Sequence, residues 1–155
     1  MQNNTITQKK IAIDRMQRLT AQTSIGISAT LINSIILSLA LLTVLPHSKV
    51  FTWLSVVFTV SGLRLLIHRR FQKSPINIEN VDQRKNTLLF LLGVSGCIWG
   101  SLPIFLFPPN SIVHQVLIVF VLGGMVAGSV GVFASIMAVF YAYSIPTVIP
   151  MLVVL

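Results

Sequence analysis

Few side chains in this sequence could do chemistry, and their spacing argues against most of it. The three histidines are His47, His68 and His114. Two imidazoles at matching depth on facing helices can ligate a haem iron. His47 and His114 are the pair that falls at one level, so a cytochrome-b-like subunit is the reading they would support. Cys97 stands alone, so neither a disulfide framework nor a CxxC metal motif is available within the chain. It reads as a small packing residue. There is no HExxH, no Ser/His/Asp set and no glycine-rich phosphate loop. The expectation is therefore no catalytic residues, no metal site and no cofactor.

The elements that must position these residues are unusual. From Asn86 to Leu155, seventy residues pass without a Lys, Arg, Asp or Glu. Over the whole 155 residues, 54% are hydrophobic and only 9% charged, where about 25% charged is usual for soluble domains. Mean hydropathy is +0.87. Uncharged apolar runs of about 18 residues or more read as transmembrane helices. They recur here at about 23–45, 50–68, 87–107, 112–131 and 134–155. A β-barrel would show alternating segments of about ten residues instead of solid blocks. The first run is too long for the core of a signal peptide, and no small-residue cleavage site follows it. The expected fold class is an all-α polytopic membrane helix bundle. Residues 1–22 form a basic N-terminal segment and 23–155 a transmembrane domain.

Charge predicts the orientation. Lys9, Lys10, Arg15 and Arg18 precede the first span, and Arg69, Arg70, Lys73, Arg84 and Lys85 lie between the second and third. Arg64, one turn inside the end of the second span, is expected to snorkel to the same side. Only Lys49 is on the other side. The positive-inside rule then makes the N-terminus and the 69–85 connection cytoplasmic, and the loops around Pro46–Lys49 and Pro108–Asn110 extracytoplasmic. The net charge of +8 is accounted for by topology and by anionic lipid headgroups. Nucleic acid is not an expected partner, because no base-reading or stacking motif accompanies the basic residues. The acids Asp14, Glu79 and Asp82 all fall on the cytoplasmic side, so Arg64 has no embedded acidic partner. The segment "QKKIAIDRMQRLTAQT" reads either as an extension of the first helix or as an interfacial helix lying on the leaflet.

Small residues mark the expected packing seam. Gly96 and Gly100 form one GxxxG, and Gly124 and Gly128 another, with Gly123 beside it. Small residues four apart let two helix backbones approach in lipid. Folding the third and fourth spans as a hairpin about Pro109–Asn110 sets Gly96 against Gly123 and Gly124. The same faces are the alternative route to a homodimer. Pro103, Pro146 and Pro150 fall inside spans, where neighbours must satisfy the freed carbonyls. Trp99, Pro103, His114, Gln115, Tyr143 and Pro146 combine polar groups with helix irregularities in the outer half of the third to fifth spans. They are the candidate ligand or signal region.

The order "LRLLIHRRF" (63–71), "GVSGCIWG" (93–100), "FPPNSIVHQVLIVFVLGGMVAGSVG" (107–131) and "AVFYAYSIPTVIP" (138–150) carries a resemblance. Across roughly residues 20–155 it is similar to the N-terminal membrane region of bacterial signalling proteins. Those proteins carry a GGDEF (diguanylate cyclase), GGDEF–EAL or histidine-kinase output domain. The resemblance implies a sensory or anchoring role in the inner membrane, in cyclic-di-GMP signalling, with the output domain as partner and absent from this chain. Five spans from a cytoplasmic N-terminus leave the C-terminus outside, so a sixth helix is expected in the complete domain and the chain reads as C-terminally truncated. A small transporter or channel subunit is the rival. It would call for embedded acids and helix breaks matched between two halves.

Overall fold

The computed structural model describes residues 2–74, 80–133 and 136–154, with the side chains of 2–9, 12 and 19 left out. Glu79 and the first two residues of the expected fifth span lie outside the described residues. All regular structure among those described is helical: α1 (Gln2–Leu41), α2 (His47–Gln72), α3 (Val81–Gly100), the single turn α4 (Leu102–Phe105), α5 (Ile112–Phe133) and α6 (Met137–Val154). Five helices, counting α3 with α4 as one, are long and apolar enough to cross a membrane. The N-terminal segment is helical with α1 throughout. A helix of 40 residues reaches about 60 Å, twice the hydrocarbon thickness of about 30 Å.

Each long helix turns one stripe inward. On α2 the buried residues are Val50, Trp53, Val57, Ser61, Arg64 and His68, spaced three and four apart as one helical face requires. The perimeter is the reverse of a soluble protein's: Phe90, Ile112, Phe120 and Val153 are all more than two-thirds exposed. The buried set includes Thr30, Ser34, Ser61, Arg64, Ser95 and Thr147. Water solvates such a perimeter poorly, because soluble monomers rarely expose contiguous apolar surface beyond a few hundred Å².

The long helices close into a ring in the order α1, α2, α3, α6, α5. Short connections make successive helices antiparallel. At one end Thr43, after α1, meets His114 at the start of α5. At the other, Arg84 near the start of α3 reaches the end of α2, and Arg15, Arg18 and Lys85 share a groove with Ile136 and Met137. These are called the loop end and the basic end below.

The ring order overturns the expected seam. Gly96 and Gly100 face α6, with α5 on the far side of it. A Cβ on Gly96 would overlap the Tyr143 carbonyl oxygen and come 2.8 Å from Pro146 Cγ, and one on Gly100 would overlap the Pro146 carbonyl oxygen. A Cβ on Gly123, Gly124 or Gly128 meets nothing within 4 Å. The physical reason lies after Gly100. There α3 breaks at Ser101 and restarts as α4, with Pro103 in its first turn, where a missing N–H costs nothing. Along α3 and on through α4 the neighbour is α6, which takes the place that a hairpin would give to α5. Pro103 thus lies inside the third span, where it marks the interruption between α3 and α4. Cys97 also departs from expectation: it is exposed on the perimeter.

The two glycine pairs should therefore behave oppositely. Gly100→Ala must push α3 and α6 apart and should destabilise the fold by about 1–3 kcal/mol. Gly124→Ala enters open space and should be neutral or stabilising by up to about 1 kcal/mol, through helix propensity. Thermal unfolding of both variants in detergent checks this. Equal losses at the two positions would contradict the ring order.

Candidate functional site: a cavity around a buried arginine

Arg64 does not snorkel. It stands on the inward stripe of α2, seven residues from Val57 and eleven from Trp53, and only 5% of its surface is exposed. Its Nη1 donates to Ser95 Oγ at 3.2 Å. Ser95 Oγ in turn donates to the Leu91 carbonyl at 2.9 Å, so one hydroxyl is acceptor to α2 and donor to its own helix. Ser95 is the only hydrogen-bond acceptor that Arg64 meets among the described residues.

Across the ring, Tyr143 of α6 is 3% exposed and its hydroxyl has no hydrogen-bond partner. Its ring lies edge-on to Phe133 at 5.9 Å, which fixes its direction. Arg64 and Tyr143 are within electrostatic reach of each other. Both line one cavity of about 330 Å³, to which every long helix contributes. Its polar groups beside Arg64 and Tyr143 are largely engaged. Thr30 Oγ1 donates to the Gly26 carbonyl, Ser129 Oγ to the Val126 carbonyl, and Asn33 Nδ2 contacts Met125 Sδ at 3.0 Å.

The candidate residues read from the sequence divide between this cavity and three other places. Tyr143 belongs to the cavity. Trp99 is fully buried nearer the loop end and packs edge-on against Trp53, with ring centroids 5.4 Å apart. Trp53 Nε1 donates to the Ile98 carbonyl at 3.2 Å, tying α2 to α3. Pro146 lies in the α3–α6 seam against Gly96 and Gly100. Beside it, Thr147 Oγ1 is 2.7 Å from the Tyr143 carbonyl oxygen and 3.3 Å from the Gly96 carbonyl oxygen. One hydroxyl thus serves both helices where proline has disturbed the backbone ladder.

His114, Gln115 and Pro103 lie in the loop-end structure. The His114 ring nitrogens sit 2.6 Å from Ser111 Oγ and 3.2 Å from Thr43 Oγ1. Both ring nitrogens are thus engaged by hydroxyls, and His47 packs against Phe51. Gln115 Nε2 donates to the Pro108 carbonyl at 2.9 Å, closing the turn before α5. These two residues hold the connection in shape. Among the described residues no group of three or more His, Cys, Asp or Glu is placed to hold a metal.

Sequence reading also missed the work of Arg84. Its Nη1 and Nη2 donate to the Phe71 and Ser74 carbonyls, both at 3.0 Å, and its guanidinium lies over the Phe71 ring. It caps the C-terminal end of α2, where a cation meets the negative pole of the helix dipole. The signal for Arg64 was present in its spacing from Trp53 and Val57. Nothing local distinguished Arg84 from the exposed Arg69 and Arg70.

The cavity geometry fixes two stability effects. Ser95→Ala leaves the buried guanidinium without its protein acceptor and should cost about 1–3 kcal/mol. Tyr143→Phe removes an unpaired buried hydroxyl and should leave the empty protein unchanged or more stable by about 1 kcal/mol. Unfolding temperatures of the two variants relative to the parent check the contrast. A large loss in Tyr143→Phe would mean that its hydroxyl has a partner. Comparison of the chain with protein-family models, curated proteins and solved structures finds no match, so the reading of this site rests on its geometry.

Proposed function

We propose that this chain is the membrane-embedded input region of a bacterial signal-transduction protein, lying in the cytoplasmic membrane with its basic end in the cytoplasm. The observation that carries the reading is the Arg64 cavity, which is ligand-sized and walled by all five long helices. A molecule bound there touches every helix at once, and it shifts the bundle by as much as it prefers one packing over another. The apolar perimeter supports bilayer insertion, and the gathering of Arg15, Arg18, Arg69, Arg70 and Lys85 at one end supports the orientation. The resemblance to membrane regions that precede GGDEF, GGDEF–EAL or histidine-kinase domains supports an output domain in the cytoplasm as the receiver.

Orientation is tested by thiol labelling on intact cells in a Cys97→Ala background. Ser48→Cys should react with a membrane-impermeant reagent and Ser74→Cys should not; the opposite pattern would invert the topology. Regulation is tested with the chain joined to the output domain it serves. Arg64→Met and Trp99→Phe should insert normally yet change how output activity, such as cyclic-di-GMP level, responds to growth conditions. If both variants leave that response unchanged, the bundle is a passive anchor and the input reading falls.

A further inference from the structure

We infer that the Arg64 cavity binds a single-chain amphiphile with an anionic head group, entering sideways between α1 and α5. This deepens the input reading above and rests on its claim of membrane embedding. The head group is specified by the donors. A guanidinium has five N–H donors and presents them as a fork that fits a carboxylate. Arg64 spends one on Ser95. The Tyr143 hydroxyl, buried and without a partner, lines the same space. Among the described residues no Asp or Glu lines the cavity. Two buried donors with unused capacity, one cationic, call for an anionic acceptor. The hydroxyls of Thr30 and Ser129 do not compete for it, since both already donate to carbonyls of their own helices.

The apolar body of the ligand is specified by the walls, which are Leu92, Met125, Val132 and Phe133 beyond the two donors. The route is specified by the rim. Ile25 and Ala29 of α1 and Gly124 and Gly128 of α5 line the cavity and are exposed. They open it onto the apolar perimeter, away from both ends of the bundle. A Cβ at Gly124 or Gly128 meets nothing within 4 Å, so these glycines leave a gap where a larger side chain would close the mouth. A volume of about 330 Å³ lies at the small end of ligand pockets, which run from about 300 to 1,000 Å³. That suits one acyl chain and its head better than a phospholipid with two.

The test uses the whole chain in phosphatidylcholine nanodiscs, with dodecanoate as probe and dodecanol as its uncharged counterpart. Dodecanoate should raise the unfolding temperature, as a ligand selective for the folded state must, and dodecanol should not. Arg64→Met should weaken dodecanoate binding by roughly ten- to a hundredfold, the loss expected for a hydrogen bond to a charged group. Tyr143→Phe should weaken it less. Gly128→Leu, which enters open space and so leaves the fold intact, should block it. The unfolding temperature of each variant without ligand confirms that it folds. Equal shifts by dodecanol would overturn the proposal, as would unchanged binding in both Arg64→Met and Gly128→Leu. Nanodiscs containing phosphatidylglycerol separate the sources of the anion. If they alone reproduce the shift and dodecanoate adds nothing, the occupant is a bilayer lipid headgroup and the single-chain proposal fails. Binding is read on the protein and regulation on its output, so the two readings fail separately. Absent binding with altered output in Arg64→Met removes the ligand class alone, and binding with unaltered output removes the input role alone.

Discussion

The close approach of α3 and α6 at Gly96 and Gly100 is the contact on which the remaining geometry depends. Here the backbone carbonyls of Tyr143 and Pro146 occupy space that any side chain on α3 would claim. Attraction between helices in an apolar medium comes from packing and from polar contacts, because lipid tails are as apolar as leucine. Two backbones at this range gain dispersion along their whole length of contact. Once α6 is held beside α3, α5 has no place there and must pack between α6 and α1. The space around Arg64 then stays unfilled, since the small residues of α5 face the gap between α1 and α5.

Most hydroxyls within the bundle follow one rule; Ser38, Ser144 and Tyr143 are buried exceptions, and of these Tyr143 lines the cavity. In an apolar medium every hydroxyl needs an acceptor, and most find it one turn back on their own helix. Thr30, Ser34, Ser95, Ser129 and Thr147 all do so. Such bonds satisfy the group without joining helices, so they leave the ring free to change its packing. Among the described residues the bonds that cross between helices include Trp53 to Ile98, Arg84 to Phe71, Thr147 to Gly96, Arg64 to Ser95 and Asn33 to Met125. Those of Trp53, Arg84 and Thr147 run to backbone carbonyls and fix α2 and α6 against α3. The Arg64 bond ends on a hydroxyl and leaves most of a guanidinium unspent.

Composition alone makes the helical class and the approximate spans legible, because solid apolar blocks admit few alternatives. The boundaries shifted where charge was taken as the limit. Ile13 and Met16 continue the first helix below its basic residues, and Met16 is buried at the basic end. What sequence could not supply was the neighbour of each face. Both GxxxG motifs have the same local chemistry, yet only the first is in contact, and that difference is set by α6 packing along α3 and α4 in the place of α5. Arg64 was misplaced for another reason. Near the end of a span, outward snorkelling is the cheaper conformation for an isolated helix. Its register with Trp53 and Val57 was the stronger constraint, because rotating α2 to release the arginine would also expose both of those residues. Trp99 and Tyr143, grouped by depth in the sequence, lie on faces with different neighbours. A list of residues ordered by depth does not resolve that.

A buried guanidinium without a counter-charge stays costly whatever surrounds it. Burying a charge is costly unless it is paired, and one neutral hydroxyl recovers only part of that cost. Stability alone would favour an apolar residue of similar shape, because replacing buried charge by well-packed apolar groups is often neutral or stabilising. The surrounding residues make no attempt to neutralise it. Among the described residues no acid lines the cavity, its hydroxyls other than Tyr143's are turned to carbonyls, and the glycines of α5 hold the space open. The same cost gives the cavity its leverage. An occupant that supplies negative charge offsets a penalty borne only while the cavity is empty. Its effect is therefore largest in packings that keep Arg64 on α2 and Tyr143 on α6 facing one space. Those two helices are fixed to α3 by Trp53 and Thr147, whereas α1 and α5 meet across the open mouth. Across that mouth the crossing contact is Asn33 Nδ2 on Met125 Sδ, a weak thioether acceptor, so relaxation around a bound anion is directed to the α1–α5 side of the ring.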